Sequence, residues 1–232
     1  MDYTLESLDA AGNPSVIFRG IVGSRAYGTA NANSDTDIRG IFVVPSAEYV
    51  RLAPPPKQVS DARNDKTYYS LLRFCELMAE ANPTTMEMLF LPEDCVLASS
   101  PAFRILAQNR RLFITQRAID SHIGYAVSQM KKARGTNKPA WKKDKNMMHL
   151  MRLLYSGESI VRNGEPIVRF SGKRLERLLS IRRGEWTFDE IMAEATTVQA
   201  NIEAGRNHLP PECDREKVDE LIEAVMKEAN VA

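Results

Sequence analysis

Cysteine is scarce in this chain: three in 232 residues, at positions 75, 95 and 213. An odd number at such wide spacing excludes a disulfide framework, gives no zinc-ligand pairing and fits a reducing compartment. Long apolar runs are missing too; no stretch approaches the roughly 20 residues that a membrane-spanning helix needs, so no membrane partner is expected. The first residues, MDYTLESLDA, carry neither a basic start nor an apolar core of the secretory kind. A soluble, cytoplasmic protein is the expectation. Neither charge dominates: 31 Lys and Arg face 30 Asp and Glu, for a net charge of +1, so no global field draws the chain to nucleic acid or a lipid surface. Internal repeats and low-complexity tails are absent. What remains, 44% hydrophobic and 26% charged residues, is the balance of an ordinary globular protein with room for one large or two small domains.

Read along its length, the chain opens with polar residues 1–14, ending at the turn pair Asn13-Pro14. Residues 15–22 are rich in β-branched side chains and predict a strand running into Gly23. Residues 24–30 predict a short helix or turn, and 37–44 a second strand stopped by Pro45. Residues 53–64, with Pro54-Pro55-Pro56, predict a mobile loop. Strand composition returns at 65–70 and passes into a helix over 71–81, ended by Asn82-Pro83 and followed by a short helical piece at 84–90. From Ser99 nearly everything predicts helix, with Pro101 suited to a first turn and breaks near 135–139, 163–166, 184 and 209–211. The pattern is a small α/β module followed by a helical half, dividing near residue 98.

Chemistry concentrates in Gly23-Ser24-Arg25-Ala26-Tyr27-Gly28 and, shortly after, Ser34-Asp35-Thr36-Asp37. Two Asp at i and i+2 of a strand face the same way. Like charges that close repel unless a divalent cation lies between them. A Gly-Ser turn just upstream leaves backbone N–H groups free for phosphate oxygens. Two-cation phosphoryl chemistry takes two or three carboxylates. The third is expected at Asp65, which opens the next strand-like segment, with Asp61 in the loop as its competitor. The plain alternative is an Asx turn at Asp35 and a strand-edge charge at Asp37, and spacing alone leaves the two readings even.

Gly23-Ser24, a ten-residue spacer and Asp35-Thr36-Asp37 resemble the Gly-Ser…Asp-x-Asp signature of the DNA polymerase β-like nucleotidyltransferase superfamily. Within it the chain is similar to the group of predicted nucleotidyltransferases typified by the bacterial YcgL protein. That group's extended pattern matches Gly23 to Gly28 and Ser34 to Gly40, and its second block matches Asp65, Tyr69, Leu71, Arg73, Asn82-Pro83, Glu87 and Leu89. The match is close over residues 16–90 and loose over the helical half. The resemblance implies an α+β fold: a nucleotidyltransferase domain over 1–98, built on a mixed β-sheet flanked by helices, and a helical domain over 99–232 that completes the nucleotide cleft. It implies that Gly23 and Ser24 hold the triphosphate of a nucleotide such as ATP. It also implies that Asp35, Asp37 and Asp65 are the catalytic carboxylates, holding two Mg²⁺ ions, with Mn²⁺ as the alternative. An acceptor would attack the α-phosphorus and expel pyrophosphate, with Asp65 helping to deprotonate it. RNA, a protein side chain and a small molecule all stay open as acceptors.

A triphosphate needs further positive charge. Arg25 follows the Gly-Ser turn directly, and Ser34 belongs to the same nucleotide-binding pattern. Arg39, two residues beyond Asp37, suits a phosphate contact or an ion pair with an Asp equally well, and Arg73 suits the solvated surface equally. In the helical half Lys145, His149 and Arg152 fall at i, i+4 and i+7 on one helix face. That face meets phosphate or is a solvated stripe, with His149 alternatively a satisfied core histidine; the resembled group carries a similar Lys…His…Arg helix. The wider basic run over 131–145 offers contact to an RNA or other polyanionic acceptor, or is only solvated surface. Tyr68, Tyr69, Phe74 and Phe90 read as core, and Glu87 as a cap or the partner of a basic side chain. Two other functions compete: a HEPN-like ribonuclease, from the Arg117-x4-His122 spacing, and a nucleotide sensor that binds without turnover.

Overall fold

The computed structural model describes residues 2–135 and 139–231. Thr4 caps a short helix α1 (Leu5–Asp9), after which the β-branched run forms β1 (Val16–Val22). Gly23 turns the chain at a φ of 70° into α2 (Ser24–Tyr27), and β2 (Asp37–Phe42) returns alongside β1. An edge strand β3 (Gln58–Ser60) precedes β4 (Lys66–Ser70). Ser70 and Asn82 accept backbone N–H groups at the starts of α3 (Leu71–Ala79) and α4 (Pro83–Met88), caps worth about 1 kcal/mol each. Strand β5 (Val96–Ser99) closes the far edge of the sheet.

The sheet has five strands in the order β3-β4-β2-β1-β5. Its β2–β4 pair is parallel and the others antiparallel, so it is mixed, as expected. Three elements depart from the sequence reading. α1 lies in the stretch that reads as polar, β3 lies in the stretch that reads as a mobile loop, and β5 has no counterpart there. Each is five residues or shorter, too short for a period to declare itself, and each is fixed by its neighbours. Residues 58–60 pair with β4, and β5 pairs with β1.

Side chains alternate cleanly across β2 and its continuation. Ile41 and Val43 enter the large core shared with the helices, whereas Phe42 and Val44 join Leu8 and Tyr68 in a small core on the opposite face. By the same period of two, Asp37 and Arg39 project toward the helical side. The register then gathers one end of the sheet. Val22 pairs with Asp37 and Ile38 with Lys66, and the Ile38 N–H donates to the Asp65 carbonyl at 2.7 Å. The end of β1 and the starts of β2 and β4 thus meet, bringing Gly23, Asp37 and Asp65 together.

The second half holds α5 (Pro101–Gln108), α6 (Gln116–Arg134), α7 (Ala140–Asn163), α8 (Gly172–Arg182), α9 (Phe188–Gly205) and α10 (Arg215–Glu228). α7 is the central helix: α6, α8 and α9 pack around it, and Met147, Met148, Leu150, Met151, Leu153 and Leu154 are all buried. It stops at Gly164, which takes a φ of 73°. α10 returns to pack on α3 and α5, so one core runs from the sheet to Val225. The break expected near 135–139 and the position of Lys138 fall on or beside 136–138, outside the described residues.

Candidate active site

Gly23 is glycine for two reasons. Its positive φ strains any other residue, and a Cβ there would collide with the Asp37 carboxylate. That carboxylate therefore lies directly over the Gly-Ser turn. The N–H groups of the first turn of α2 have no intrahelical acceptor, and the half-buried Ser24 begins that turn. Arg25 reaches across to donate to the Ser34 carbonyl at 3.1 Å. The Ser34 hydroxyl donates to Asn31 Oδ1 at 3.1 Å and accepts the Asn31 N–H at 2.9 Å. Arg25 and Ser34 thus shape the loop that delivers Asp35.

Asp37 is half-buried, and among the described residues it has no ion pair. Burial raises its carboxyl pKa above the ordinary value. Asp65 and Asp35 push the same way, while Arg39 and Lys145 oppose them. These shifts place the expected carboxylates, and Lys145 from the helical half, within electrostatic reach of one another. Asp65 Oδ2 is held by Arg63 at 2.9 Å, an exposed partner whose hold is weak. Asp61, the competitor, accepts the backbone N–H groups of Asp65 and Lys66 at 2.8 and 3.2 Å; it builds the turn into β4. Among the described residues no three His, Cys, Asp or Glu side chains already form a metal cage. The donor chemistry still fits a divalent cation: hard oxygen ligands around a half-buried carboxylate whose neighbours are like-charged.

Arg39 donates to the carbonyls of Ile38 and Asp65 at 2.9 and 3.2 Å, tying β2 to β4. Arg73 pairs with Glu76 at 3.0 Å. On α7, Lys145 is exposed and His149 half-buried. The His149 imidazole pKa is lowered to about 3, first by burial and then by Arg152, Lys145, Arg182 and Lys132. Cationic side chains thus lie around His149, and one of them, Lys145, also acts on Asp37 at the acidic end of the sheet.

Arg152, two turns deeper, enters the core. The residue is 7% exposed, and its guanidinium pairs with Glu87 and lies 4.0 Å from the centre of the Tyr27 ring. Tyr27 in turn donates its hydroxyl to Glu87 at 2.7 Å. Burial works against the charged guanidinium, but Glu87 and Tyr27 together outweigh it, leaving the Arg152 pKa above its ordinary value. Arg152 meets the turn at Gly23 and Ser24 through Tyr27. Glu87 thus has the basic partner its sequence position allowed, but neither Tyr27 nor this three-way contact is signalled in the sequence. The helical half also grips the turn from the other side: Arg169 Nε donates to the Ala26 carbonyl at 2.7 Å and the Phe170 N–H to the Tyr27 carbonyl at 3.1 Å.

The Arg117-x4-His122 pair is not assembled as a site. Residues five apart on a helix point to different sides. His122 is 1% exposed with Nδ1 at 2.7 Å from the Ala118 carbonyl, while Arg117 pairs with Glu212 at 3.1 Å.

Two comparisons bear on this geometry. A family model described as RlaP, RNA repair pathway DNA polymerase beta family, matches residues 1–227. An uncharacterized 38.9 kDa protein of Enterobacteria phage T4, from the nrdC-mobD intergenic region, is 28% identical over 129 residues; the match spans 50% of this chain and 38% of the phage protein.

Proposed function

The chain belongs to the RNA repair pathway DNA polymerase beta family, and on that premise we propose that it transfers a nucleoside monophosphate from a nucleoside triphosphate to an acceptor, releasing pyrophosphate. The observation that carries the reading is the half-buried Asp37 carboxylate, flanked by Asp35 and Asp65 over the Gly23 turn and opposed by Lys145. In this proposal residues 1–98 are the nucleotidyltransferase domain and 99–232 the helical domain that closes the cleft. Asp35, Asp37 and Asp65 hold two divalent ions, Mg²⁺ with Mn²⁺ as the alternative. Bound there, the ions supply Lewis-acid neutralisation of the phosphate charge.

The chain's own residues do the rest. The Gly23-Ser24 N–H groups hold phosphate oxygens, as helix starts do. Lys145 and a neutral His149 face the transferred charge. Arg25 and Ser34 position the loop carrying Asp35, Arg39 locks β2 to β4, and Arg152 holds the turn through Tyr27. The acceptor hydroxyl attacks the α-phosphorus as the bond to the β-phosphate oxygen breaks. Its proton goes to a carboxylate, for which Asp65 is our choice, since its link to exposed Arg63 is readily released.

The test incubates the protein with each α-labelled nucleoside triphosphate, Mg²⁺ and candidate acceptors, beside the Asp35→Ala/Asp37→Ala double variant. Transfer by the wild type alone is the expected result, and transfer that persists in the double variant would sink the assignment.

A further inference from the structure

The rim of the proposed cleft carries an unusual combination of side chains. Trp141 is 60% exposed and Phe188 39% exposed, large costs for aromatic residues in a chain with only two tryptophans. Both stand at one end of the helical half. Phe188 opens α9 and lies under the Arg134 guanidinium at the end of α6, 5.0 Å from ring centre to carbon. Trp141 lies in the first turn of α7 with the Lys142 ammonium 5.2 Å from its ring centre. The two starts are neighbours: a Cβ on Gly184, just before α9, would lie 3.2 Å from Asp144 of α7.

Charge there is one-sided. Among the described residues Lys131, Lys132, Arg134, Lys142, Lys143 and Lys145 form no ion pair within 4.0 Å. The acids nearby are Asp144, Glu185, Asp189 and Glu190; Glu185 pairs with Arg183, and Glu190 is taken up by the Thr187 cap. Trp141 and Lys145 are one helical turn apart, so the aromatic face and the Lys145 that acts on Asp37 lie on the same side of α7. Lys132 of α6 acts in turn on His149.

Exposed aromatic faces interleaved with uncompensated cations are the chemistry of single-strand recognition: bases stack on the rings while the cations follow the phosphates. A double helix offers no free base face, and a small acceptor needs no such extended surface. We propose that this rim, with Trp141 as the stacking platform and Phe188 and Arg134 beside it, binds single-stranded RNA as the acceptor and leads its end toward Asp37. The proposal rests on the nucleotidyl-transfer reading for the role of the strand, but the binding itself is separable from it.

Fluorescence anisotropy with a labelled single-stranded oligoribonucleotide tests it, together with quenching of tryptophan emission. Trp141→Ala should weaken binding roughly 5- to 150-fold, the loss of one stacked base, and Trp141→Phe should restore most of it. Lys142→Gln/Lys143→Gln should flatten the salt dependence, by about 0.7 in log–log slope for each phosphate no longer neutralised. Nucleoside triphosphate binding should be unchanged in all three variants. RNA binding that survives in Asp35→Ala/Asp37→Ala supports the rim even where no transfer is found, so the two proposals fail separately. Equal RNA affinity in wild type and Trp141→Ala overturns the inference, as does duplex RNA bound as tightly as a single strand, or no RNA binding at all. Single-stranded DNA bound equally well overturns the choice of RNA.

Discussion

Replacing Glu87 by Gln removes one charge from the most deeply buried ion pair at the site and leaves the shape almost unchanged. Glu87 is 1% and Arg152 7% exposed, so the guanidinium left behind cannot recover its charge balance from water. Breaking a buried pair by removing one partner costs about 3–5 kcal/mol. For a chain of this size each kcal/mol lowers the melting temperature by about 2–4 °C, so a fall of roughly 6–20 °C is expected. The Glu87→Leu/Arg152→Met double variant removes both charges and should regain most of the loss. It should stay short of wild type by about 1–3 kcal/mol, the cost of stranding the Tyr27 hydroxyl, and adding Tyr27→Phe should close that gap. Thermal unfolding followed by circular dichroism and calorimetry measures all four proteins. A Glu87→Gln protein melting within about 2 °C of wild type, less than 1 kcal/mol, would refute the reasoning, since it would mean that Arg152 is already solvated.

Two predictions concern pH. Because the Asp37 carboxyl pKa is raised by burial and by Asp65 and Asp35, ionising it opposes folding: stability is fullest below the ordinary carboxyl value of 3.8 and falls as pH rises through the raised one. In metal-free buffer Asp37→Asn should therefore melt above wild type near neutral pH, with the gap shrinking toward the ordinary carboxyl value; an unchanged gap across that range contradicts the cause given. His149 is depressed from 6.5 to about 3, so its contribution is intact above the ordinary value and is lost as pH falls through the depressed one. Its imidazole signals should stay neutral in NMR titrations down to about 3, and a bound triphosphate should move the titration upward; a midpoint near 6.5 in the free protein contradicts this.

The strands that frame the site are legible because their composition is local. The run into Gly23 and the run after Asp37 each carry enough β-branched residues to declare a strand, and Asn82-Pro83 marks the break between α3 and α4. The Asp pair is legible through spacing, and the approach of Asp65 follows from strand order, which one segment boundary is enough to suggest. What stays hidden depends on long-range pairing. Tyr27 meets Glu87 across 60 positions, and Glu87 meets Arg152 across 65, distances at which no local pattern speaks. The helix face of Lys145, His149 and Arg152 reads as uniform in the sequence. Its last member diverges because α7 sinks into the core as it runs, a matter of tertiary depth. β5 escapes notice because its burial alternates only weakly along an edge, where pairing with β1 and not hydrophobicity makes it a strand.

The return of α10 onto α3 and α5 has a consequence for how the protein is made. Leu221 and Val225, 5% and 0% exposed, cover helices whose residues leave the ribosome well before them. Until α10 is synthesised, the helices beside the sheet present an open apolar face, and the native arrangement waits on contacts of high sequence separation. A nascent chain halted before residue 215 would carry the complete Gly23–Asp37–Asp65 constellation on an unfinished scaffold, prone to stick to its neighbours. α10 thus closes the apolar face that α3 and α5 leave open, and Leu221 and Val225 complete the core that runs from there to the sheet.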